Sequence, residues 1–510
     1  MTTVQGNGPA VRQTSIGRAV LWIAFALLAC LSVFLINGKP LFYFDTMGYV
    51  SQGHSALYHM GIPAKSPIHR EPVGEDTSRK GPDITADIEA DHIVDGSRST
   101  VYSLLAGALA RLGTLEGLIA LNIAAVFLAV WLPMRIAVRH WGLHIPLSQA
   151  VALPIIMASF GSLPFYTSYL MPDTFAPVLI LTVATLTVFA RVMTVWEILL
   201  ALALGSLATV SHLSHLGLVT LMVPAVIVIS LIKSRRQWWL PPALVLIIVG
   251  MGYAEQSVLR SAARSLSDSE VIIKPYITAR IIQDGPGMRY LDENCPDPAI
   301  PTCVLHEALM RSDDPMRLTA SHIVFAQNER LGSFRLLSPE DQTHVSEDQI
   351  AFFFRVFSHD PLGIITALTR NVLSQAVSIS VDMTLPSQGS IALNAPVSGL
   401  LTGAFEHGRI TADTGWLRIV TPLHAVFYAL SLAVILALVI APRRVPGEIK
   451  ALAVMVLFGI FANAIVCGGI SQPATRYGAR VIWLLPLMAT ILFIFARRTR
   501  RFDTVGEGRI

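Results

Sequence analysis

Residues 19–45 read Ala19-Val-Leu-Trp-Ile-Ala-Phe-Ala-Leu-Leu-Ala-Cys30-Leu-Ser-Val-Phe-Leu-Ile-Asn37-Gly-Lys-Pro-Leu-Phe-Tyr-Phe-Asp45. The run to Ile36 carries no charge and is about as long as a helix needs to cross ~30 Å of hydrocarbon, which takes about 20 residues. A cluster of aromatic residues then delivers a carboxylate, Asp45, at the edge of the bilayer. The run lacks a small-residue cleavage site at its far end, so it reads as a retained anchor and not as a secretory leader.

The same pattern recurs along the chain. With 53% hydrophobic and 14% charged residues in 510, and a mean hydropathy of +0.58, the composition is that of a membrane protein. Ten apolar runs are expected to be helical spans, near 19–37, 115–134, 147–163, 174–190, 197–211, 216–232, 239–256, 421–441, 450–467 and 480–496. The expected fold is an all-α polytopic membrane protein with three parts. Residues 1–256 form an N-terminal module of seven spans that includes an outer loop at 38–114. Residues 257–420 form a larger extracytoplasmic segment between spans seven and eight, and 421–510 form a C-terminal module of three spans.

Basic residues set the orientation. Arg12 and Arg18, Arg135 and Arg139, Arg191, Lys233 with Arg235 and Arg236, Arg443 with Arg444, and the tail Arg497-Arg-Thr-Arg-Arg501 fall at alternate connections. The short connections near 164–173 and 211–215 have none. The positive-inside rule then puts both termini in the cytoplasm. The formal charge of +4 is accounted for by anionic lipid headgroups and calls for no nucleic acid. The sequence has no Walker loop, dinucleotide fingerprint or fixed-period repeat.

One short outer connection breaks the charge rule: Ser471-Gln-Pro-Ala-Thr-Arg476-Tyr477-Gly-Ala-Arg480. A guanidinium offers a rigid fork of donors matched to phosphate oxygens and stays charged at any relevant pH. The bland reading is snorkelling to ordinary headgroups. Two acids face the same side. Asp45 opens a helix expected near 46–59, where it either caps the helix or, with Tyr49 one turn on, serves as a general base. Asp173, in Pro164-Phe-Tyr-Thr-Ser-Tyr-Leu-Met-Pro-Asp173-Thr-Phe-Ala-Pro177, either caps the fourth span or contacts substrate or metal. His212 and His215, three residues apart at the next outer turn, either finish a buried turn or bind a phosphate or hydroxyl.

The larger outer segment holds Cys295-Pro-Asp-Pro-Ala-Ile-Pro-Thr-Cys303. Two cysteines flanking a proline-rich turn in an oxidising compartment read as a local disulfide or as two free thiols. Cys30 and Cys467 lie in apolar runs, where cysteine packs as a small side chain. Within 348–380 the pattern reads as two amphipathic helices broken at Pro361 and lying along the membrane surface.

Together these features resemble the GT-C superfamily of polytopic glycosyltransferases, which use sugars carried on polyprenyl phosphate. The similarity is to bacterial members of the protein mannosyltransferase and aminoarabinose lipid A transferase group. It is architectural over most of the chain and motif-level at a few positions. Asp45 matches the acid of the first outer loop, Met171-Pro-Asp173-Thr-Phe-Ala-Pro177 the acid of the next outer connection, and His359-Asp-Pro361 a His-Pro segment of the outer loops. Arg476-Tyr477 matches the arginine that holds the donor phosphate. Where the family often has a paired Asp-Glu, this chain has Asp45-Thr46, and Asp91 or Asp95 is left to complete a pair.

The resemblance implies an inverting transfer of a hexosyl or pentosyl group from a polyprenyl-phosphate carrier to an extracytoplasmic glycolipid, polysaccharide or protein. Asp45 would be its base. Tyr49, Asp173, His212, His215, Arg476, Tyr477 and Arg480 would bind substrate. It implies no certain cofactor, leaves a divalent metal open, and places the chain in a bacterial inner membrane. A transporter or flippase, a polymerase for lipid-linked glycans, and a membrane-anchored sensor or assembly protein remain as alternatives. A transporter would more often carry its ionisable residues at the bilayer midplane in two related halves.

Overall fold

The computed structural model describes residues 16–62, 93–143, 145–233, 236–398, 405–442 and 444–506. Helix dominates, as the composition requires of a chain whose backbone must satisfy its own hydrogen bonds in lipid. Eight helices among the described residues are long and apolar enough to cross a membrane. They are Ile16–Asn37, Gly117–Trp141, Pro172–Val192, Leu213–Lys233, Leu240–Leu266, Leu417–Ile440, Gly447–Ile470 and Thr475–Arg497. The other two expected spans fall on shorter helices, Leu147–Ser159 and Val195–Val210. At 13 and 16 residues these reach only ~20–24 Å at 1.5 Å per residue. After the first of them the chain turns at Gly161 and adds a single helical stretch, Leu163–Thr167.

Pro172–Val192 stands at the centre. Every residue of its Phe175–Phe189 portion is buried, which fits its hydrophobic-all-round sequence. At one end is Asp173. At the other, Arg191 donates to the carbonyl oxygens of Ser230 and Gln237. At that same end Arg135 and Arg139 grip the buried Glu197 at 3.2 and 2.6 Å, and Lys233 pairs with Glu448 at 3.4 Å. The alternate basic connections are thus joined to one another. The peripheral helices Ile16–Asn37 and Leu417–Ile440 turn Leu21, Leu28, Leu35, Ile419, Leu423 and Leu430 outward, the surface lipid would cover.

On the far side from Arg191, two pieces outside the spans are knitted together. Helix Phe44–His59 packs closely on helix Thr100–Arg111 because Gly53 and Gly107 face each other. A Cβ on Gly53 would come 1.7 Å from the Ser103 carbonyl oxygen. Strand β1, Ile93–Asp95, pairs in parallel with β2, Glu270–Ile272, so the stretch that follows the first span is stitched to the segment after Leu240–Leu266. That segment has its own small core, around Ile281, Leu291, Leu305, Ile323, Phe334 and Phe352. Cys295 and Cys303 are joined there in a disulfide. Helices Pro339–His359 and Pro361–Val377 meet at a bend of 114°, with the Asp360 carboxylate accepting from the Gly363 N–H at 2.8 Å to start the second.

Candidate functional site

The acid of the first outer loop is placed by the strand-like stretch before it. The Leu41 N–H donates to the Ser168 carbonyl at 2.9 Å and the Leu170 N–H to the Leu41 carbonyl at 2.8 Å. This bridge ties the exit of the first span to the connection that carries Asp173. Asn122, buried in helix Gly117–Trp141, holds the same connection through the Tyr169 carbonyl at 3.0 Å. Helix Phe44–His59 then begins. Its starting N–H, that of Tyr43, donates to Thr46 Oγ1 at 3.0 Å. The capping reading of Asp45 therefore passes to Thr46, and Asp45 sits in the first turn with its carboxylate one third exposed.

Two guanidinium groups flank that carboxylate. Arg476 Nη1 lies 3.5 Å from Asp45 Oδ2, and Arg98 Nη2 lies 3.6 Å from Oδ1. Arg476 is itself buried, stacked over the rings of Tyr43 at 4.5 Å and Tyr477 at 5.0 Å. Its Nη2 reaches the Tyr477 hydroxyl at 3.5 Å. Its Nε lies 3.5 Å from Asp173 Oδ1 but is not aimed to form a hydrogen bond. Each of these separations exceeds the 2.7–3.2 Å of a good N–H···O bond, so Arg476 is a buried cation with donors to spare. Burial pushes the Tyr43 phenol up to about 12, beyond what nearby Arg476 offsets, so it meets the guanidinium as a neutral ring face.

Arg480, one helical turn on, is fully buried and well satisfied. It donates to Asn463 Oδ1 at 2.9 Å, Cys467 Sγ at 3.1 Å, Ser214 Oγ at 3.3 Å and Asp173 Oδ1 at 3.3 Å. Asp173 does not cap the following helix. It is a fully buried counter-ion shared by Arg476 and Arg480, and its Oδ2 has no partner. The short helix Thr475–Ile482 that presents both arginines is clamped from several sides. Gln375 donates to the Ala474 carbonyl and accepts from the Ala474 N–H, at 3.0 and 2.9 Å. Asn463 donates to the Tyr477 carbonyl at 2.8 Å.

His212 and His215 adjoin this cluster, with ring centroids 5.3 Å apart. His212 Nδ1 accepts from the Ser214 N–H at 3.1 Å. His215 Nδ1 lies 2.7 Å from the Ala208 carbonyl, an acceptor only, so Nδ1 carries the proton and the buried, unpartnered Nε2 is left as an acceptor.

Tyr49 does not join the cluster through a contact to its arginines. It is buried edge-on against Tyr102 at 5.1 Å. His359-Asp360-Pro361 also lies elsewhere, at the corner between two outer helices, where His359 meets Glu293 and Tyr290 and Asp360 meets Arg289. Asp95 does not pair with Asp45. It is separated from it by Arg98 and bound to Lys274 at 2.7 Å, and Asp91 lies outside the described residues. Among the described residues the charged neighbours of Asp45 are two cations, and Thr46, standing where a second carboxylate would help, is committed to the helix start. Among the described residues no three His, Cys, Asp or Glu side chains are placed to hold a metal.

Sequence reasoning missed Arg98, Lys274, Asn463 and Ser214. Asn463 carried a signal, a polar residue inside an apolar span. Arg98 and Lys274 carried none of comparable strength, since only the pairing of β1 with β2 brings them together.

No family model and no curated protein matches the sequence. Among solved structures, the chain is similar to the crystal structure of ArnT from Cupriavidus metallidurans bound to undecaprenyl phosphate, with a TM-score of 0.32 and 12% identity over 95% of this chain and 79% of that one. The apo state of the same protein gives a TM-score of 0.31 and 12% identity over 94% and 78%.

Proposed function

We propose that this chain is a membrane glycosyltransferase that moves a sugar from a polyprenyl-phosphate carrier to an extracytoplasmic acceptor in a bacterial cell membrane, with both termini cytoplasmic. The observation that carries the reading is Arg476, a buried guanidinium whose contacts are all long, held beside the partly exposed carboxylate of Asp45. Its two carboxylate neighbours, Asp45 and Asp173, stand at 3.5 Å, which leaves donors that a phosphate oxygen would take at shorter range. The position, at the end of the spans opposite the basic connections, suits a lipid-borne phosphate.

In this reading the carrier's phosphate takes the free donors of Arg476, with Tyr43 and Tyr477 walling the guanidinium. Asp173, Arg480, His212 and His215 line the deeper side, where the unpartnered Asp173 Oδ2 and His215 Nε2 accept from substrate hydroxyls. Asp45 removes the proton from an acceptor hydroxyl. The acceptor oxygen attacks the anomeric carbon from the face opposite the phosphate, the carbon–oxygen bond to the carrier breaks, and its electron pair stays on the phosphate oxygen facing Arg476. Configuration inverts. Positioning and neutralisation of the leaving phosphate supply most of the rate, and the base contributes about 10²–10⁴-fold.

Mass spectrometry of total lipids and envelope glycans tests this in cells with the native chain, without it, and with Asp45→Asn or Arg476→Ala. The expected result is that one sugar mass leaves an acceptor in the null and in both variants while the polyprenyl-phosphate sugar accumulates. Unchanged glycans in the null would overturn the transferase reading and favour a transporter. Full transfer by Asp45→Asn would remove Asp45 as the base.

A further inference from the structure

Between Asp45 and the larger outer segment lies a buried charge chain that the proposed reaction does not use. Arg98 donates to Asp95 Oδ2 at 2.9 Å and lies 3.6 Å from Asp45. Asp95 is fixed on three sides: Lys274 Nζ reaches Oδ2 at 2.7 Å, the Ser97 N–H reaches Oδ1 at 2.9 Å, and the backbone is held in the β1–β2 pair. All three charged side chains, Asp95, Arg98 and Lys274, are at most about a tenth exposed. Gly48 makes the arrangement possible. A Cβ there would come 2.5 Å from Arg98 Cζ, so the guanidinium lies flat on the face of helix Phe44–His59, one turn from Asp45.

The charges do not cancel. Two cations, Arg98 and Lys274, share the single carboxylate of Asp95, so one positive charge is left facing Asp45. We propose that Arg98 is a positioning residue for Asp45, aimed by Asp95, and that Lys274 sets how much of its charge Asp45 feels. The inference rests on the reading of Asp45 as the base and adds a regulating contact: the carboxylate is held in place only when the larger outer segment, which supplies β2 and Lys274, is docked. Among the described residues the other groups facing Asp45 are Arg476 from the last outer connection, Tyr43 beside it, Tyr49 on its own helix and Tyr276 of the larger segment, with Asp173 behind Arg476. Arg98 is the charged group of these that ties Asp45 to the larger segment, through Asp95 and Lys274.

Two measurements test it. Polyprenyl-phosphate sugar and the unmodified acceptor fraction, both extracted from cells lacking the chain, are supplied to proteoliposomes of the full chain, and initial rates are followed against donor concentration. Arg98→Gln is expected to lower kcat about 10²-fold with the donor KM unchanged, Arg98→Lys to recover most of it, and Lys274→Gln to lower kcat several-fold, since Asp95 then neutralises Arg98. Arg476→Ala, by contrast, raises the donor KM. A folded Arg98→Gln protein with native kcat, or one whose loss is all in KM, overturns the proposal. The second measurement needs no turnover: a structure of Arg98→Gln, or of Gly48→Val should Arg98→Gln fail to fold. The Asp45 carboxylate is expected to leave its place between the two guanidinium groups, and its staying put overturns the proposal. Absence of transfer by the native chain would sink the transferase reading, and this structure would still decide the role of Arg98.

Discussion

Asp173 and Arg480 are each fully buried at an end of the bundle where charges are expensive, and each depends on the other. Breaking such a pair by removing one partner costs about 3–5 kcal/mol, because the remaining charge is left buried, whereas replacing both by apolar groups of similar size is often neutral. Arg480→Met is therefore expected to lower the unfolding midpoint of the detergent-solubilised protein strongly, and Arg480→Met with Asp173→Leu to recover part of the loss. A double variant no better than the single would assign the cost to Asn463, Cys467 and Ser214, the other partners of Arg480, or to Arg476, which also loses Asp173. Arg476 differs from its neighbour although the two are one turn apart on the same helix. Arg480 has short bonds to an amide oxygen and a sulfur, while Arg476 meets every polar partner at 3.5 Å. Its removal is expected to be felt in ligand binding more than in folding.

At the scale of elements, what the sequence made legible was whatever repeats with a helical period or sits beside one. The long apolar runs, the acid that follows the first, the arginines before the last and the break at Pro361 are all short-range patterns. Two expected spans coincide with helices shorter than the rest, Leu147–Ser159 and Val195–Val210, because apolar composition reports burial and does not fix helix length. The choice between cap and free carboxylate at Phe44–His59 is not legible for a related reason: Asp45 and Thr46 are both good helix starters, and only the backbone path from Leu41 puts the Thr46 hydroxyl under the Tyr43 N–H. Long-range chemistry was less visible still. Nothing local in Asp95-Gly-Ser-Arg98 points to Asp45 or Lys274. The close crossing of Phe44–His59 on Thr100–Arg111 is similarly set by one contact. Gly53→Ala is expected to cost about 1–3 kcal/mol through the clash with the Ser103 carbonyl and to shift Asp45 with its helix. A native melting profile for Gly53→Ala would show that the two helices have room to part.

For the whole molecule, the outer segment and the bundle are coupled through a carboxylate. Burial works against the charged form of Asp95, yet Lys274, Arg98 and the Ser97 N–H together hold its carboxyl well below the usual range. A lowered folded pKa stabilises the native state at every pH above the unfolded value. That contribution fades as pH falls from the ordinary carboxylate range toward the lower folded one. Acidification below about pH 4 is thus expected to loosen the β1–β2 junction before the bundle itself. Hydrogen exchange at Gly96, whose N–H donates to the Ile272 carbonyl at 2.8 Å, would report it, and in Asp95→Asn that acid-dependent rise should be absent. A further consequence follows from the burial of Asp173. During synthesis the helix that carries it leaves the ribosome 307 residues ahead of Arg480, so until then Asp173 lacks its cationic partners and is expected to be held as the neutral acid. Insertion of Thr475–Arg497 is the event that supplies them. A product that stops short of that helix would lack both cations that Asp173 pairs with, so the site closes only when Thr475–Arg497 is in place.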